Sequence, residues 1–396
     1  MSCDKVVNHT AFAPQTREKH GMTHCEIKFH NNSLGIYYAG QTLAGSAELR
    51  LEKSKKLKEF ILTISGIAEI SWTEKDGDGN KSSYSGSEQL LEAVHVLIKP
   101  NGSESDTIEI PAGIHVYNFE CALPSTLPTS FEGYHGHIRY TVSATIVRPW
   151  KFNQTSKAAF TVLQALDLNL GPELLRQPSK AEFSKRFCCW PCSSGPLHVT
   201  VRTPIAGYVP GQIIHVMVLL DNKSSVTVNC LVTSLVRIVT CISSCGRTNV
   251  DTKTIASVEN VVTDDRTDRF SQHMVVPSVA PNISCSVLNV SYELLVTIKV
   301  ECCRISPRLS IPLTIGTVPI VAAPTTVPTA EETANYGTFG AIFGPSAPVA
   351  DSVDPPTYAE AISTTSVNVN DHANAIGVQS YVPRYPVYKF GAGELC

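Results

Sequence analysis

Tyr38-Ala-Gly-Gln41, early in the chain, is answered by Tyr208-Val-Pro-Gly-Gln212 in its second half, and each opens onto a run of alternating apolar and polar residues. Pro210-Gly211 suits the middle of a type II turn, because proline sets φ at the first central position and glycine accepts positive φ at the second. Two more pairs follow in the same order. Pro124-Ser-Thr-Leu-Pro128 is matched by Pro277-Ser-Val-Ala-Pro281, and Ile138-Arg-Tyr140 by Val290-Ser-Tyr292. Repetition of both order and rough spacing predicts two related modules in tandem.

Within each module the dominant period is two. Leu43, Ala47, Leu49 and Leu51 share one face of their run, opposite Thr42, Ser46, Glu48 and Arg50. Phe60, Leu62, Ile64, Ala68, Ile70 and Trp72 share a face in the next, as do Ile138, Tyr140, Val142, Ala144 and Ile146 further on. The second module repeats the habit in Leu197, Val199 and Val201 and again from Leu288 to Val300. One apolar and one wet face is the pattern of an antiparallel strand in a two-sheet sandwich. The fold class expected is therefore all-β, with two tandem immunoglobulin-like sandwiches over residues 22–168 and 196–316. Residues 1–21 form an N-terminal extension, and 169–195, where Gly171, Pro172, Pro178, Pro191 and Gly195 gather, a hinge in which Pro172–Gln177 makes one short turn. From about Thr317 the composition shifts to Ala, Pro, Thr, Val and Ser, which predicts a disordered tail over 317–396.

Bulk properties narrow the function. A chain of 396 residues with net charge −3 has no global drive toward nucleic acid, and no basic stripe interleaved with aromatics stands out. Thirteen cysteines, an odd number, behind a start that lacks the apolar core of a signal peptide favour a reducing, cytosolic setting over disulfides. No uninterrupted apolar run is long enough to span a bilayer, so membrane association is expected to be peripheral.

In chain order, Gly40-Gln41, Trp72-Thr-Glu74, Leu127-Pro-Thr-Ser-Phe-Glu-Gly133, Ile138-Arg-Tyr140, Arg148-Pro-Trp150, Ser194-Gly-Pro196 and Tyr208-Val-Pro-Gly-Gln212 resemble the α-arrestins, or arrestin domain-containing proteins. The resemblance covers residues 22–316, and Pro355-Pro-Thr-Tyr358 stands where that family carries its Pro-Pro-x-Tyr tail motif. It implies N- and C-arrestin sandwiches joined by a hinge. It also implies a non-enzymatic adaptor that links membrane receptors or transporters, as cargo, to HECT-type ubiquitin ligases whose WW domains read Pro-Pro-x-Tyr, and so directs endocytosis and sorting at the plasma membrane and endosomes. Two departures stand out. Val382-Pro-Arg-Tyr-Pro-Val-Tyr388 never places two prolines side by side, so only one full ligase motif is present, and Phe160–Leu166 lacks the basic residue of phosphate-sensing arrestins.

Pro355, Pro356 and Tyr358 carry the most chemistry. Adjacent prolines bias the chain to polyproline II, whose three-residue turn puts Pro355 and Tyr358 on one side, ready for the two pockets of a WW-type groove. The tail is expected to leave this tyrosine in solvent. Lys53, Lys55, Lys56 and Lys58 form a basic cluster at a turn, read as a solvated loop, as candidate membrane-surface residues attracted to anionic lipid, or as acceptors of ubiquitin from a recruited ligase. The aromatic-rich island Tyr381–Phe390 is expected to fold back onto an edge strand of a sandwich by strand addition. Asp76-Gly-Asp-Gly-Asn80 is rejected as a calcium loop, because Lys81 and Ser87 occupy the positions that need glycine and glutamate. Cys189 and Cys192 have zinc-ligand spacing but lack a second pair, leaving structural cysteines, lipidation near the hinge or zinc open in that order. His135-Gly-His137 reads as a turn. No nucleophile elbow, phosphate-cradling loop or paired-carboxylate signature is present, so no catalytic residue and no cofactor is assigned. The competing readings are a ligase-independent endosomal coat or scaffold component and, behind it, a zinc- or thiol-dependent protein.

Overall fold

The computed structural model describes residues 10–12, 23–100, 102, 107–187, 195–262, 267–301, 306–321, 354–362, 364, 366–369 and 380–390. The first module holds β1 (Thr10–Phe12), β2 (Thr23–Phe29), β3 (Ile36–Tyr38), β4 (Thr42–Leu51), β5 (Lys55–Leu57), β6 (Glu59–Lys75), β7 (Lys81–Ile98), β8 (Ile108–Ile110), β9 (Gly113–Ala122), β10 (Phe131–Glu132), β11 (Gly136–Val147) and β12 (Gln154–Leu163). One sheet runs β1-β9-β4-β2 and the facing sheet β3-β12-β11-β6-β7, with β10 paired to β11 and β5 paired to β8 beside them. The second module holds β13 (Ser179–Arg186), β14 (Pro196–Thr203), β15 (Gly207–Tyr208), β16 (Ile213–Asn222), β17 (Val228–Ile242), β18 (Thr248–Val261), β19 (Thr267–Val275), β20 (Ile283–Ser284), β21 (Leu288–Val300) and β22 (Arg308–Ile315). Its sheets run β13-β14-β16-β19 and β15-β22-β21-β17-β18, with β20 on β21.

The two topologies superpose strand for strand, down to the parallel pairings β3–β12 and β15–β22. They differ at opposite edges of one sheet: β1 adds to β9 in the first module, whereas β13 adds to β14, the counterpart of β2, in the second. Part of the stretch expected to be hinge is thus an edge strand, with Ala181 and Phe183 turned toward the core between exposed charges. The short turn expected at Pro172–Gln177 is a single 3-10 turn, Glu173–Arg176.

The alternating faces meet as the sequence pattern requires. Phe60, Leu62, Ile64 and Ala68 of β6 are fully buried, as are Ile138, Tyr140 and Val142 of β11 and Leu288, Leu294, Val296 and Ile298 of β21. The repeated tyrosines perform one task twice: Tyr140 donates its hydroxyl to the Pro128 carbonyl at 2.7 Å, and Tyr292 donates to the Ala280 carbonyl at 2.7 Å. Each pins the proline-bounded loop of its own module to the core. The repeated turns also match, but with Tyr37 rather than Tyr38 as the counterpart of Tyr208. Gln41 returns its amide N–H to the Tyr38 carbonyl and Gln212 to the Val209 carbonyl, with Gly40 and Gly211 at φ of 91° and 92°.

Side chains and backbone cross between the modules. Leu166 donates its N–H to the Thr317 hydroxyl at 2.7 Å, and Arg247 reaches Glu74 at 3.2 Å. The guanidinium of buried Arg237 lies 5.4 Å from the centre of the Phe131 ring.

The expectation of disorder from Thr317 onward is corrected at 317–321, where Val318 bridges to Asp167 and Ile320 is buried, and for two later stretches of the tail. β23 (Thr357–Glu360) pairs antiparallel with β26 (Arg384–Val387), and β24 (Val367–Asn368) with β25 (Ser380–Tyr381), and both pairs pack on the sandwiches. The physical reason is local. Tyr381, Tyr385 and Tyr388 supply enough ring area to offset the ordering entropy of their short segments, which an average over the whole tail conceals. Residues 322–353 lie outside the described residues.

Candidate functional site

The Leu127–Gly133 loop prepares the dock for the tail. Thr129 and Ser130 are buried, and their hydroxyls accept the N–H groups of Gln164 and Val162, both at 2.9 Å. With its N–H also bonded back to the Val162 carbonyl, Ser130 is held so that its own carbonyl points outward and unclaimed by either sheet. Tyr385 meets that carbonyl with its hydroxyl at 2.9 Å, its ring almost fully buried.

Two more rings repeat this on either side. Tyr381 lodges beside Ala159 and Val369, its hydroxyl 3.3 Å from the Thr161 hydroxyl and 3.3 Å from the Phe160 carbonyl. Tyr388 donates to the Thr317 carbonyl at 2.6 Å, on the strand end that closes the second module, and its N–H bonds to Pro210 at 3.0 Å. Burial pushes the Tyr381 phenol up to about 12 and that of Tyr385 well above its ordinary value, so all three stay neutral donors at physiological pH. Three phenols thus fasten one tail segment to carbonyls of both modules.

Beneath Tyr388 the positive-φ turn matters a second time. The Tyr388 backbone lies so close over Gly211 that a Cβ there would overlap the Tyr388 carbonyl oxygen. Further hydrogen bonds tie down β23: Ser278 donates its hydroxyl to the Ala359 carbonyl at 3.0 Å, and Ile362 donates its N–H to Ser278 at 2.9 Å.

Tyr358 rides on this platform. It sits opposite Pro386 in the β23–β26 ladder, half-buried, with its hydroxyl 3.5 Å from that of Tyr38. Its ring packs against the core cluster, which corrects the expectation of a tyrosine left in solvent. Pro355 is exposed and Pro356 half-buried. The island Tyr381–Phe390 does dock, but not by adding a strand to a sandwich edge. It pairs with β23 and inserts rings instead.

The four lysines fall elsewhere. Lys53 and Lys56 are exposed and Lys58 is half-buried, while Lys55 donates to the Gln154 side chain at 2.8 Å. Burial, with Arg148 and Lys151 nearby, lowers the Lys55 pKa. Asp76–Asn80 is a hairpin tip closed on itself, Asp76 accepting the N–H groups of Asp78 and Asn80. Cys188–Cys192 and Cys302–Cys303 lie outside the described residues. Cys241 is buried, its thiol pushed up to about 11, and Cys245 is exposed. Among the described residues no group of His, Cys, Asp and Glu is placed to hold a metal ion.

Paired Greek-key-like sandwiches with matched tyrosine-pinned loops define an arrestin-type molecule, and comparison with known proteins agrees. The family model described as Arrestin (or S-antigen), N-terminal domain matches residues 25–169, and Arrestin (or S-antigen), C-terminal domain matches 193–320. Arrestin domain-containing protein 17 of Caenorhabditis elegans is 32% identical over 313 residues, covering 74% of this chain and 70% of that protein. Arrestin domain-containing protein 1 of Mus musculus is 29% identical over 335 residues, 83% of this chain and 70% of that protein. Arrestin domain-containing protein 4 of Mus musculus is 30% identical over 303 residues, 74% and 71% respectively. The chain belongs to the arrestin domain-containing, or α-arrestin, family. Members of that family are generally non-enzymatic adaptors that bind cargo and other partners, and membership is consistent with a role in trafficking.

Sequence reasoning missed Tyr38, Ser130, Thr161, Gly211 and Ser278 as partners of the tail. Tyr38, Ser130, Gly211 and Ser278 lie within repeated or family words, but as turn and loop residues, since backbone carbonyls leave no trace in side-chain patterns.

Proposed function

We propose that the chain is a trafficking adaptor that recruits a WW-domain, HECT-type ubiquitin ligase through Pro355, Pro356 and Tyr358 and presents membrane receptors or transporters to it as cargo. The observation that carries this reading is the position of the motif. It lies on a short two-stranded element added to the outside of the sandwiches, with Pro355 exposed and Tyr358 only half-buried, its ring against the core edge and its hydroxyl 3.5 Å from that of Tyr38. Such a segment can leave its dock without disturbing either sandwich. The proline pair then keeps most of the polyproline II shape that an aromatic groove reads, so little ordering entropy remains to be lost on binding.

Tethering a ligase near cargo makes ubiquitin transfer effectively intramolecular. The site of action is the cytosolic face of the plasma membrane and endosomes. No helix among the described residues is long and apolar enough to cross a membrane, so contact there is peripheral in this reading. The test is direct. A synthetic peptide spanning residues 350–362 should bind an isolated WW domain at micromolar strength, and the Tyr358→Ala peptide should lose at least about tenfold, the loss of one buried anchor ring. Equal binding by the two peptides removes the ligase link.

The half-buried state of Tyr358 favours one second reading, a coat or scaffold component whose sandwiches work without a ligase. Deleting residues 330–396 separates the two, since it leaves coat function intact and abolishes adaptor function.

A further inference from the structure

The end of the first sandwich where β11 hands over to β12 carries two independent oddities. Trp150 is 103% exposed and Phe152 80% exposed, at the tip of the loop between β11 and β12. Trp150 also holds φ of 55°, a left-handed conformation uncommon for a bulky residue. That conformation is fixed rather than loose: Arg148 donates both Nε and Nη2 to the Phe152 carbonyl and closes the loop beneath the two rings.

The same end is basic. Gln154, which accepts from Lys55, opposes Ile146 in the β11–β12 ladder, and Lys58 donates its N–H to the Val147 carbonyl at 2.8 Å. Lys53, Lys55, Lys56, Lys58, Arg148 and Lys151 therefore surround the aromatic tip. Phe60 pairs with Ile98, so exposed Lys99 joins them. Glu52, Glu59 and Glu109 are the acids among the described residues at this end, so bases outnumber acids there while the whole chain carries −3.

We infer that this end of the first module is a membrane-contact surface, in which Trp150 and Phe152 enter the headgroup layer of an anionic bilayer while the surrounding lysines and Arg148 rest on its phosphates. The shape fits a bilayer better than a polymer. Both rings stand exposed at a loop tip, and amphipathic tryptophan belongs at the boundary between headgroups and acyl chains. Basic residues near such a surface add attraction that falls within a Debye length.

This inference rests on the peripheral membrane role proposed above and adds an orientation. β12 starts at this tip with Gln154 and ends beside the tail dock with Leu163, a run of about 30 Å at strand spacing. The ligase motif would face away from the lipid.

The test uses the purified full chain and sedimentation with vesicles of phosphatidylcholine, alone or with about a third phosphatidylserine. The expected result is binding to the anionic vesicles, weakened by salt, together with a blue shift of tryptophan emission. Lys53→Gln/Lys56→Gln/Lys151→Gln should bind about a hundredfold more weakly, three near-surface charges at about fivefold each. Trp150→Ser/Phe152→Ser should lose about tenfold and the emission shift, with an unchanged melting temperature because both rings are exposed. Binding to neutral vesicles as strong as to anionic ones, no binding to either, or binding unchanged in both variants overturns the inference. So does tight binding of a single-stranded oligonucleotide with the vesicles ignored. WW-domain binding should be normal in both variants, so failure here and failure of the ligase link register separately.

Discussion

His137 faces Glu69 across the β6–β11 ladder, its Nε2 3.7 Å from the carboxylate and its side chain 21% exposed. Burial first, and Arg139 second, hold its pKa down to about 4. An unfolded histidine titrates near 6.5, so the folded state takes up this proton less readily than the unfolded chain. The resulting stabilisation is complete above about pH 6.5 and is lost as the pH falls from there toward 4. Because Glu69 attracts the charged form and part of the ring is wet, the loss is on the order of 2 kcal/mol rather than the full value of the shift. Arg139 itself is held by Glu132 through a two-pronged pair at 2.7 and 2.8 Å, so it stays close to His137 over this whole range. Urea midpoints at pH 7 and pH 4.5 check this: the wild-type difference should exceed that of His137→Gln. Parallel pH slopes in the two proteins would show that another group dominates.

At the scale of elements, Gly40 and Gly211 form a matched experiment. Both sit third in a type II turn at nearly the same positive φ, and alanine at either should strain the backbone by about 1 kcal/mol. A Cβ at Gly40 meets nothing nearer than 3.6 Å, whereas one at Gly211 overlaps the Tyr388 backbone. Gly211→Ala should therefore speed protease cleavage within Tyr381–Phe390 several-fold, while Gly40→Ala leaves that rate alone and both lower the melting temperature slightly. The turns were legible in advance because Pro210-Gly211 dictates its own dihedrals, and the sandwiches because Phe60 to Trp72 and Leu288 to Val300 place an apolar residue at every second position, save for Gly66. β13 was not: its inward residues are only Ala181 and Phe183, on an edge strand whose other residues are mostly charged and wet. The docked tail was half legible. The aromatic island announced apolar rings seeking cover, but their receptors are the carbonyls of Ser130, Phe160 and Thr317, which belong to loop geometry and not to any side-chain pattern.

For the whole molecule, the dock and the ligase motif compete. A WW domain has to surround the Tyr358 ring and take Pro355 in polyproline II form, yet the docked chain holds Tyr358 in a ladder with Pro386, its ring turned toward Tyr38. Binding of the ligase therefore requires β23 to leave β26, and the apparent affinity falls by the fraction of molecules already open. Three buried tyrosine rings each contribute more than 1 kcal/mol before the entropy of closing the tail is subtracted, so a net bias of about 1.4 kcal/mol, a tenfold effect, is a modest requirement. The intact protein should accordingly bind a WW domain at least about tenfold more weakly than the free 350–362 peptide. Tyr385→Ala/Tyr388→Ala in the intact protein should recover most of the difference without touching the motif. Both values come from one titration series, with Tyr358→Ala as the blank. Equal affinity of peptide and intact protein would mean that the tail stands open in solution, and the double variant would then change nothing. If the tenfold gap appears and closes in the double variant, cargo or any partner that displaces Tyr385 from Ser130 also raises ligase affinity by the same factor, because coupling between two sites is reciprocal.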